Sequence, residues 1–234
     1  MKKTISFFVY LNLFVLAFCA AAVSINAQQD AERVVAVVSN GAGNPRNIKY
    51  SDLLLQLALQ PNDPLDPPKT EDLKQALQVL INFSLISFEA EATKFFYQSV
   101  TEAEIADEIR LVLANFRTAD EFLKRLRIIG FDSINDENFI REMRARIAVR
   151  KILNFRFRSF VIITRDEEEK YYHKVFGPEF RRENPEKLIW NDLDKKAPQI
   201  RKALTEEKAD MEIKRFLDNA KKRATINILS DELK

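Results

Sequence analysis

The chain has little of the side-chain chemistry on which most enzymes depend. Its 234 residues include one cysteine, Cys19, and one histidine, His173. These counts exclude a histidine-rich metal site, and they exclude a Cys-His pair after residue 27. A Ser-His-Asp triad would depend on His173 alone, which lies in a charged helical stretch and is better explained as a surface or packing residue. We therefore predict that the protein is not an enzyme and needs no metal or other cofactor.

Glycine is scarce, which limits the sites available for phosphate. Two of the four glycines, Gly41 and Gly43, fall in the turn-forming segment 40–45. This segment lacks the G-x-G-x-x-G spacing and the strand-turn-helix context of a phosphate-binding loop. A hairpin turn is the simpler interpretation, so we expect no nucleotide dependence.

The chain also has little net charge, +2 at pH 7. The 37 lysines and arginines nearly balance the 35 aspartates and glutamates, which predicts no nucleic-acid partner. The signs are segregated along the chain, however. Six acids and two bases lie in 101–121, and eight bases and three acids lie in 136–165. Solvated helix faces explain this pattern most simply; a basic flank that attracts acidic clients or lipid headgroups is the alternative.

One long apolar run is present, and it lies at the N-terminus. Residues 7–22 are mostly apolar, follow two lysines and precede the small residue Ala27. This order is typical of a secretory signal peptide cleaved before Gln28. The run is short for a spanning helix and is interrupted by polar residues. We predict a signal peptide over 1–27, with an uncleaved membrane anchor as the alternative.

The strong strand signals lie at the two ends of the remaining chain, while 154–163, "NFRFRSFVII", change to a period of two and could be helix or strand. Residues 34–38 form a β-branched run, 47–50 can return as a hairpin partner, and 225–229 alternate apolar and polar residues. A two-stranded hairpin is marginally stable alone, so a third strand from the far terminus would complete a small sheet. We expect Ile226 and Ile228 to pack against a sheet that contains Val35 and Val37.

Between these ends the sequence predicts helices. The expected starts are an N-cap at Ser51, a long helix from Thr70, another from about Asp136, and a last helix from about Pro198. Three capping boxes mark further starts, namely Thr101 with Glu104, Thr118 with Glu121 and Thr164 with Glu167. The predicted fold class is mainly α, a helical bundle with a small antiparallel sheet that joins the N-terminal hairpin to the C-terminal strand.

The order of these elements resembles the chaperone module of the SurA family, periplasmic relatives of parvulin-type prolyl isomerases. The resemblance rests on "RVVAVV", "NIKYSDLLLQL", "LKQALQVLINFSLISFEAEA", "FVIITRDEEEKYY" and "FLDNAKKRATINIL". It implies a single chaperone domain over 28–234, with a mobile connector over 177–198. Family members commonly insert parvulin domains before the last helix. Here the 164–198 interval is too short for one, because segments below about 40 residues rarely fold alone.

The resemblance implies a periplasmic, ATP-independent chaperone for unfolded polypeptides, with outer-membrane proteins as clients and without prolyl isomerase activity. No nucleic acid or small-molecule substrate is expected. The alternative is a non-catalytic accessory partner of an envelope assembly or secretion machine, held at the inner membrane by an uncleaved leader.

Aromatic residues beside arginines are the candidates for client binding. The chain has 18 phenylalanines, more than one packed face can use, and several lie next to basic residues. Aromatic rings supply contact area and arginines donate hydrogen bonds to carboxylates and backbone carbonyls, although core packing is the alternative for most rings. The candidates are Phe95, Phe96, Tyr97, Phe155, Arg156, Phe157, Arg158 and Phe160. The carboxylates of Glu167, Glu168 and Glu169 are expected to form a solvated charge run.

Overall fold

The computed structural model describes residues 32–41, 44–93, 95–185 and 193–234, without the side chains of residues 90, 92, 93, 95 and 97. The predicted signal peptide lies outside the described residues. The strands are β1 (Val34–Ser39), β2 (Arg46–Lys49) and β3 (Thr225–Ile228). The helices are α1 (Tyr50–Ala58), α2 (Thr70–Thr93), α3 (Phe95–Gln98), α4 (Glu102–Leu113), α5 (Ala119–Ile128), α6 (Glu137–Phe157), α7 (Arg165–Tyr171), α8 (Gly177–Glu183) and α9 (Leu193–Arg223). A π-helical turn (Tyr172–Phe176) links α7 to α8, and a 3-10 turn (Asp231–Leu233) follows β3.

The predicted fold class, mainly α with a small antiparallel sheet, is confirmed. The sheet has the order β2-β1-β3, so β1 is its central strand and β3 arrives from the far end of the chain. Ile226 pairs with Val38, and Ile228 pairs with Ala36. Side chains of directly opposed residues lie on one face of a sheet. The two isoleucines therefore share the face of Ala36 and Val38, rather than that of Val35 and Val37.

Val35 occupies an irregular position in β1 that ties down the C-terminus. The register against β2 shifts between Val34 and Ala36, as in a β-bulge. The Val35 carbonyl accepts the amide of Leu229 at 2.8 Å, and its side chain is fully buried. After β3 the chain turns inward and buries Leu233.

Helices begin at all three predicted capping boxes, but only Thr101 and Thr164 form the reciprocal box, because the Glu121 carboxylate accepts the Arg117 amide rather than that of Thr118. Thr118 accepts the Glu121 amide with its hydroxyl at 3.2 Å, and Thr164 and Glu167 cap each other reciprocally at the start of α7. Gly130 follows α5 with a φ of +91°. A left-handed conformation of this kind favours glycine because a β-carbon would be strained there.

Two predicted helix starts were wrong. The cap of α1 is Lys49 rather than Ser51, because the Asp52 carboxylate accepts the Lys49 amide at 2.8 Å. Helix α9 begins at Leu193, so Pro198 lies inside the helix rather than at its start. Part of the predicted connector over 177–198 is helical as α8, and residues 186–192 lie outside the described residues.

The chain divides into two compact units, each assembled from segments distant in sequence. The first unit contains the described residues up to Ser84, Ala106–Arg141 and Ala224–Lys234. Its centre includes the sheet and an aromatic cluster in which the Phe122 ring lies 5.0 Å from Phe116 and 6.0 Å from Phe139. Phe122 and Phe139 are fully buried, so these two rings have lost all contact with water and contribute hydrophobic stabilisation to the unit.

The second unit contains Leu85–Ile105 and Glu142–Arg223. Its buried residues include Met143 and Ile147 on α6, and Tyr172 with Leu193 and Ile200. Glu168 is also buried there, 2% exposed, and forms ion pairs with Arg165 and Arg201. The expected solvated charge run is therefore wrong at Glu168, because two arginines neutralise its carboxylate within the fold. Over the described residues, no helix combines the length and apolar character needed to cross a membrane.

Candidate functional site

The sequence candidates gather where α6 ends in the second unit. The Asn154 carbonyl accepts the amides of Arg158 and Ser159 at 3.0 and 2.9 Å, which closes the last turn of the helix. The following residues, 158–164, are not helical. This ending places Phe155, Arg156 and Phe157 on the final helical turn and Phe160 just after it.

Three rings form a row with spacings typical of paired aromatic side chains. The Phe155 ring centre lies 5.5 Å from Phe96 and 5.5 Å from Phe160. Phe155 is 53% exposed and Phe160 is 71% exposed, and the nearby Ile162 is 78% exposed. Large apolar side chains clustered on a surface mark interaction sites more often than single exposed ones do. We call Phe96, Phe155 and Phe160 the aromatic row.

A cavity of about 780 Å³ opens beside this row, and we call it the basic pocket. Its volume lies within the range of about 300–1,000 Å³ that is usual for ligand sites. The end of α6 and the residues after it supply one side, and α9 supplies the other. The lining residues are Arg156, Phe157, Phe160, Val161, Glu212, Arg215, Phe216, Asn219, Lys222 and Arg223.

Stacked rings and a guanidinium form the apolar part of the basic pocket. The Phe157 and Phe216 ring centres are 5.7 Å apart. The Arg156 guanidinium lies over both rings, 4.7 Å from the centre of Phe216 and 5.5 Å from that of Phe157. It also pairs with Glu89 at 2.7 Å. Because these contacts hold Arg156 from two sides, the pocket wall is set before any ligand binds.

Arg158 was a client-binding candidate together with Arg156, but the two arginines occupy different positions. Arg158 lies outside the pocket lining and donates to Glu206 on α9 at 2.9 Å. A second tie follows close behind, since Lys208 donates to the Ile162 carbonyl at 3.0 Å. These two contacts hold the end of α6 and the residues after it against α9, so Arg158 positions the pocket rather than lining it.

The structure thus brings together five of the eight sequence candidates, namely Phe96, Phe155, Arg156, Phe157 and Phe160. The side chains of Phe95 and Tyr97 lie outside the described residues. Sequence reasoning missed the α9 half of the pocket. In the sequence, Phe216 lies on the apolar face of the last helix. That position indicated only that the residue packs against another element. Lys222 and Arg223 at the end of α9 were not recognised as part of a site.

In the second unit, two lysines each form an ion pair with a glutamate in the first turn of a helix. Lys151 donates to Glu104 at 2.9 Å and to the Ser99 carbonyl at 2.7 Å. Lys208 pairs with Glu167 at 2.7 Å in addition to its bond to Ile162. The hydrogen bond from each lysine, followed by one from the capped threonine amide, lowers the pKa of each glutamate from 4.5 to about 2. The basic flank and the acidic segment of the sequence thus meet partly as internal ion pairs.

These two glutamates predict a loss of stability in acid. Between pH 4.5 and about 2 the unfolded chain protonates glutamates that the folded chain keeps ionised. Their contribution is therefore complete above pH 4.5 and declines as the pH falls from there toward 2. The double variant Lys151→Met and Lys208→Met should show a flatter decline of its urea midpoint from about pH 6 to about pH 3 than the unmodified protein does.

The matched control for the acid experiment is Lys202→Met on the exposed side of α9. It removes a cation that has no ion pair among the described residues, so it should leave the pH profile unchanged. If the double variant declines as steeply as this control, the two lysines do not set the acid sensitivity.

Comparison with known proteins returned no match, whether to a family model, a curated protein or a solved structure. Among the described residues no group of three or more histidine, cysteine, aspartate or glutamate side chains is arranged to hold a metal ion. His173 is exposed, and its ring packs edge-on against Tyr172 at 5.4 Å. Within the described part of the chain, the aromatic row and the basic pocket thus place exposed rings next to cations.

Proposed function

We propose that the protein is an ATP-independent chaperone that binds unfolded polypeptides through the aromatic row and the basic pocket. The observation that carries this proposal is the exposure of Phe155, Phe160 and Ile162 beside a cavity of about 780 Å³. Monomeric proteins rarely leave such side chains clustered in water without a partner. An unfolded chain supplies apolar side chains for the rings and carboxylates for the arginines.

The resemblance to the SurA family extends this proposal. It supports the periplasm as the location, outer-membrane proteins as clients and the absence of prolyl isomerase activity. Binding of this kind needs no nucleotide, because the contacts are apolar and electrostatic rather than driven by a chemical step. Affinity should be weak and tolerant of sequence, since no deep pocket for one particular side chain is required.

To test the proposal, a urea-unfolded outer-membrane protein is diluted into buffer. Its aggregation is followed by light scattering in the presence and absence of the purified chaperone candidate. The protein should suppress scattering without ATP. The variant Phe155→Ser and Phe160→Ser should bind the client about tenfold more weakly, because truncating central interface residues costs roughly 1–2 kcal/mol and each 1.4 kcal/mol is a factor of ten.

A matched control is available in the first unit. Leu111 and Ile128 are 61% and 59% exposed, so Leu111→Ser and Ile128→Ser removes similar apolar surface. This control should suppress scattering as well as the unmodified protein does. If scattering rises as fast as with an inert protein across several clients, the chaperone proposal fails and an accessory structural role takes its place.

A further inference from the structure

The basic pocket has more cations than its own acids neutralise. Four of its lining residues are basic, and one, Glu212, is acidic. Glu212 pairs with Arg215 at 2.9 Å, and Arg156 is paired with Glu89. Within the part of the chain that the structure describes, Lys222 and Arg223 have no carboxylate partner. The pocket therefore presents two cations whose charge is not neutralised by an ion pair.

The end of α9 explains how these cations come to the pocket. Lys222 and Arg223 occupy the last turn of the helix, where its carbonyl groups carry partial negative charge. The nearest acid in sequence, Asp218, is held by Lys214 at 3.0 Å. That hydrogen bond, with the charges of Lys214, Lys221 and Lys222, lowers the pKa of Asp218. The helix end thus keeps a positive surface beside the rings.

A pocket that combines rings and cations favours a ligand that has both apolar and acidic groups. Phe157 and Phe216 offer an apolar wall, and Phe160 extends it to the surface. A ligand that places an apolar side chain on this wall brings its flanking residues near Lys222 and Arg223. Flanking carboxylates would form charge-assisted hydrogen bonds there, whereas flanking lysines would meet like charge.

We propose that the basic pocket selects acidic segments of unfolded polypeptides, in which an apolar side chain is flanked by carboxylates. This inference rests on the polypeptide binding proposed above and adds a charge preference to it. The charge complementarity of the pocket identifies the occupant. An unfolded chain also fits better than a lipid surface, because an open recess between α6 and α9 admits single side chains more readily than it meets a flat bilayer.

The test uses two soluble peptides that share a central Phe-Leu pair and differ only in their flanking residues, glutamate in one and lysine in the other. Binding is measured by fluorescence anisotropy at low ionic strength, where exposed charges are least screened. The glutamate peptide should bind roughly three- to tenfold more tightly, the range expected for two exposed ion pairs. Lys222→Glu should reduce or reverse this ratio, and Arg223→Gln should reduce it.

Lys221→Glu is the matched control, because it makes the same charge change in the same helical turn outside the pocket lining. It should leave the ratio of the two affinities within about twofold of the unmodified value. Circular dichroism of each variant checks that α9 remains folded.

The other outcomes separate this inference from the proposed function. Equal affinity for the two peptides, with Lys222→Glu behaving as Lys221→Glu, would overturn the charge preference and leave the chaperone proposal standing. Binding of neither peptide, together with unsuppressed client scattering, would overturn both. If phosphatidylglycerol vesicles or a second copy of the chain bind through Lys222 and the glutamate peptide does not, the inferred occupant is wrong.

Discussion

Removal of residues 225–234 should lower the free energy of unfolding by roughly 3–6 kcal/mol, because burying one aliphatic side chain contributes about 1.5–3 kcal/mol. The segment buries Leu233 and half-buries Ile226 and Ile228. It also supplies one complete edge of the sheet, since β3 pairs with β1 along four residues. Without it, β1 and β2 remain as a hairpin, which is marginal by itself.

Contacts after β3 add to this effect. Glu232 pairs with Arg33 at 3.0 Å, and Lys74 on α2 donates to the Lys234 carbonyl at 2.9 Å. These exposed contacts are worth little singly. Together they hold the residues after β3 in place, so that Leu233 occupies its buried position.

Urea unfolding followed by circular dichroism measures the effect. The matched control keeps the full chain and carries Thr225→Ser and Asn227→Ser, which alter two exposed side chains of β3 and retain its backbone pairing. Its midpoint should change little. A truncated protein that unfolds at the same urea concentration as the full chain would show that the terminal strand does not close the fold.

Local signals explain why the strands and several helix starts could be predicted. A threonine hydroxyl and a glutamate three residues later cap the first turn of a helix from within that turn, so Thr164 with Glu167 needs no distant partner to mark the start of α7. The alternation in 225–229 likewise identifies a half-buried strand without its neighbour. The choice of β1 as that neighbour followed from elimination, because the strong strand signals were confined to the two ends.

The errors fall where a distant residue decides the outcome. Glu168 looks like Glu167 and Glu169 in the sequence, and its buried carboxylate is stabilised in part by Arg201, 33 residues later. The division into two units could not be predicted either, since each is built from separate segments. Only the α6 side of the basic pocket was predicted, because its α9 side also depends on distant residues. Its α6 residues stand out as a cluster of rings and arginines, but its α9 residues matter only through their position beside that cluster.

Arg125 shows the same dependence on distant partners, and its replacement should strongly destabilise the first unit. The guanidinium donates to the backbone carbonyls of Leu57 at 2.8 Å, Ala58 at 3.2 Å and Asp63 at 2.7 Å. Leu57 and Ala58 lie at the end of α1, where carbonyls lack the usual helical partner, although the Leu57 carbonyl also accepts the Gln60 amide at 3.0 Å. One side chain on α5 therefore caps α1 and holds the proline-rich segment that follows it. Burial lowers the pKa of Arg125, and the charges of Asp63 and Glu121 oppose that shift.

Arg125→Met should destabilise the protein by about 2–4 kcal/mol, because hydrogen bonds to a charged group contribute about 1.5–3 kcal/mol each and water can replace part of what is lost at a half-buried site. Arg125→Lys should recover only part of this loss, since an ammonium group cannot reproduce the fork of donors that spans three carbonyls. The control is Arg127→Met, an exposed arginine on the same helix, which should stay within about 0.5 kcal/mol of the unmodified protein. Urea midpoints that coincide for Arg125→Met and Arg127→Met would mean that the guanidinium contacts do not stabilise α1 and its connector.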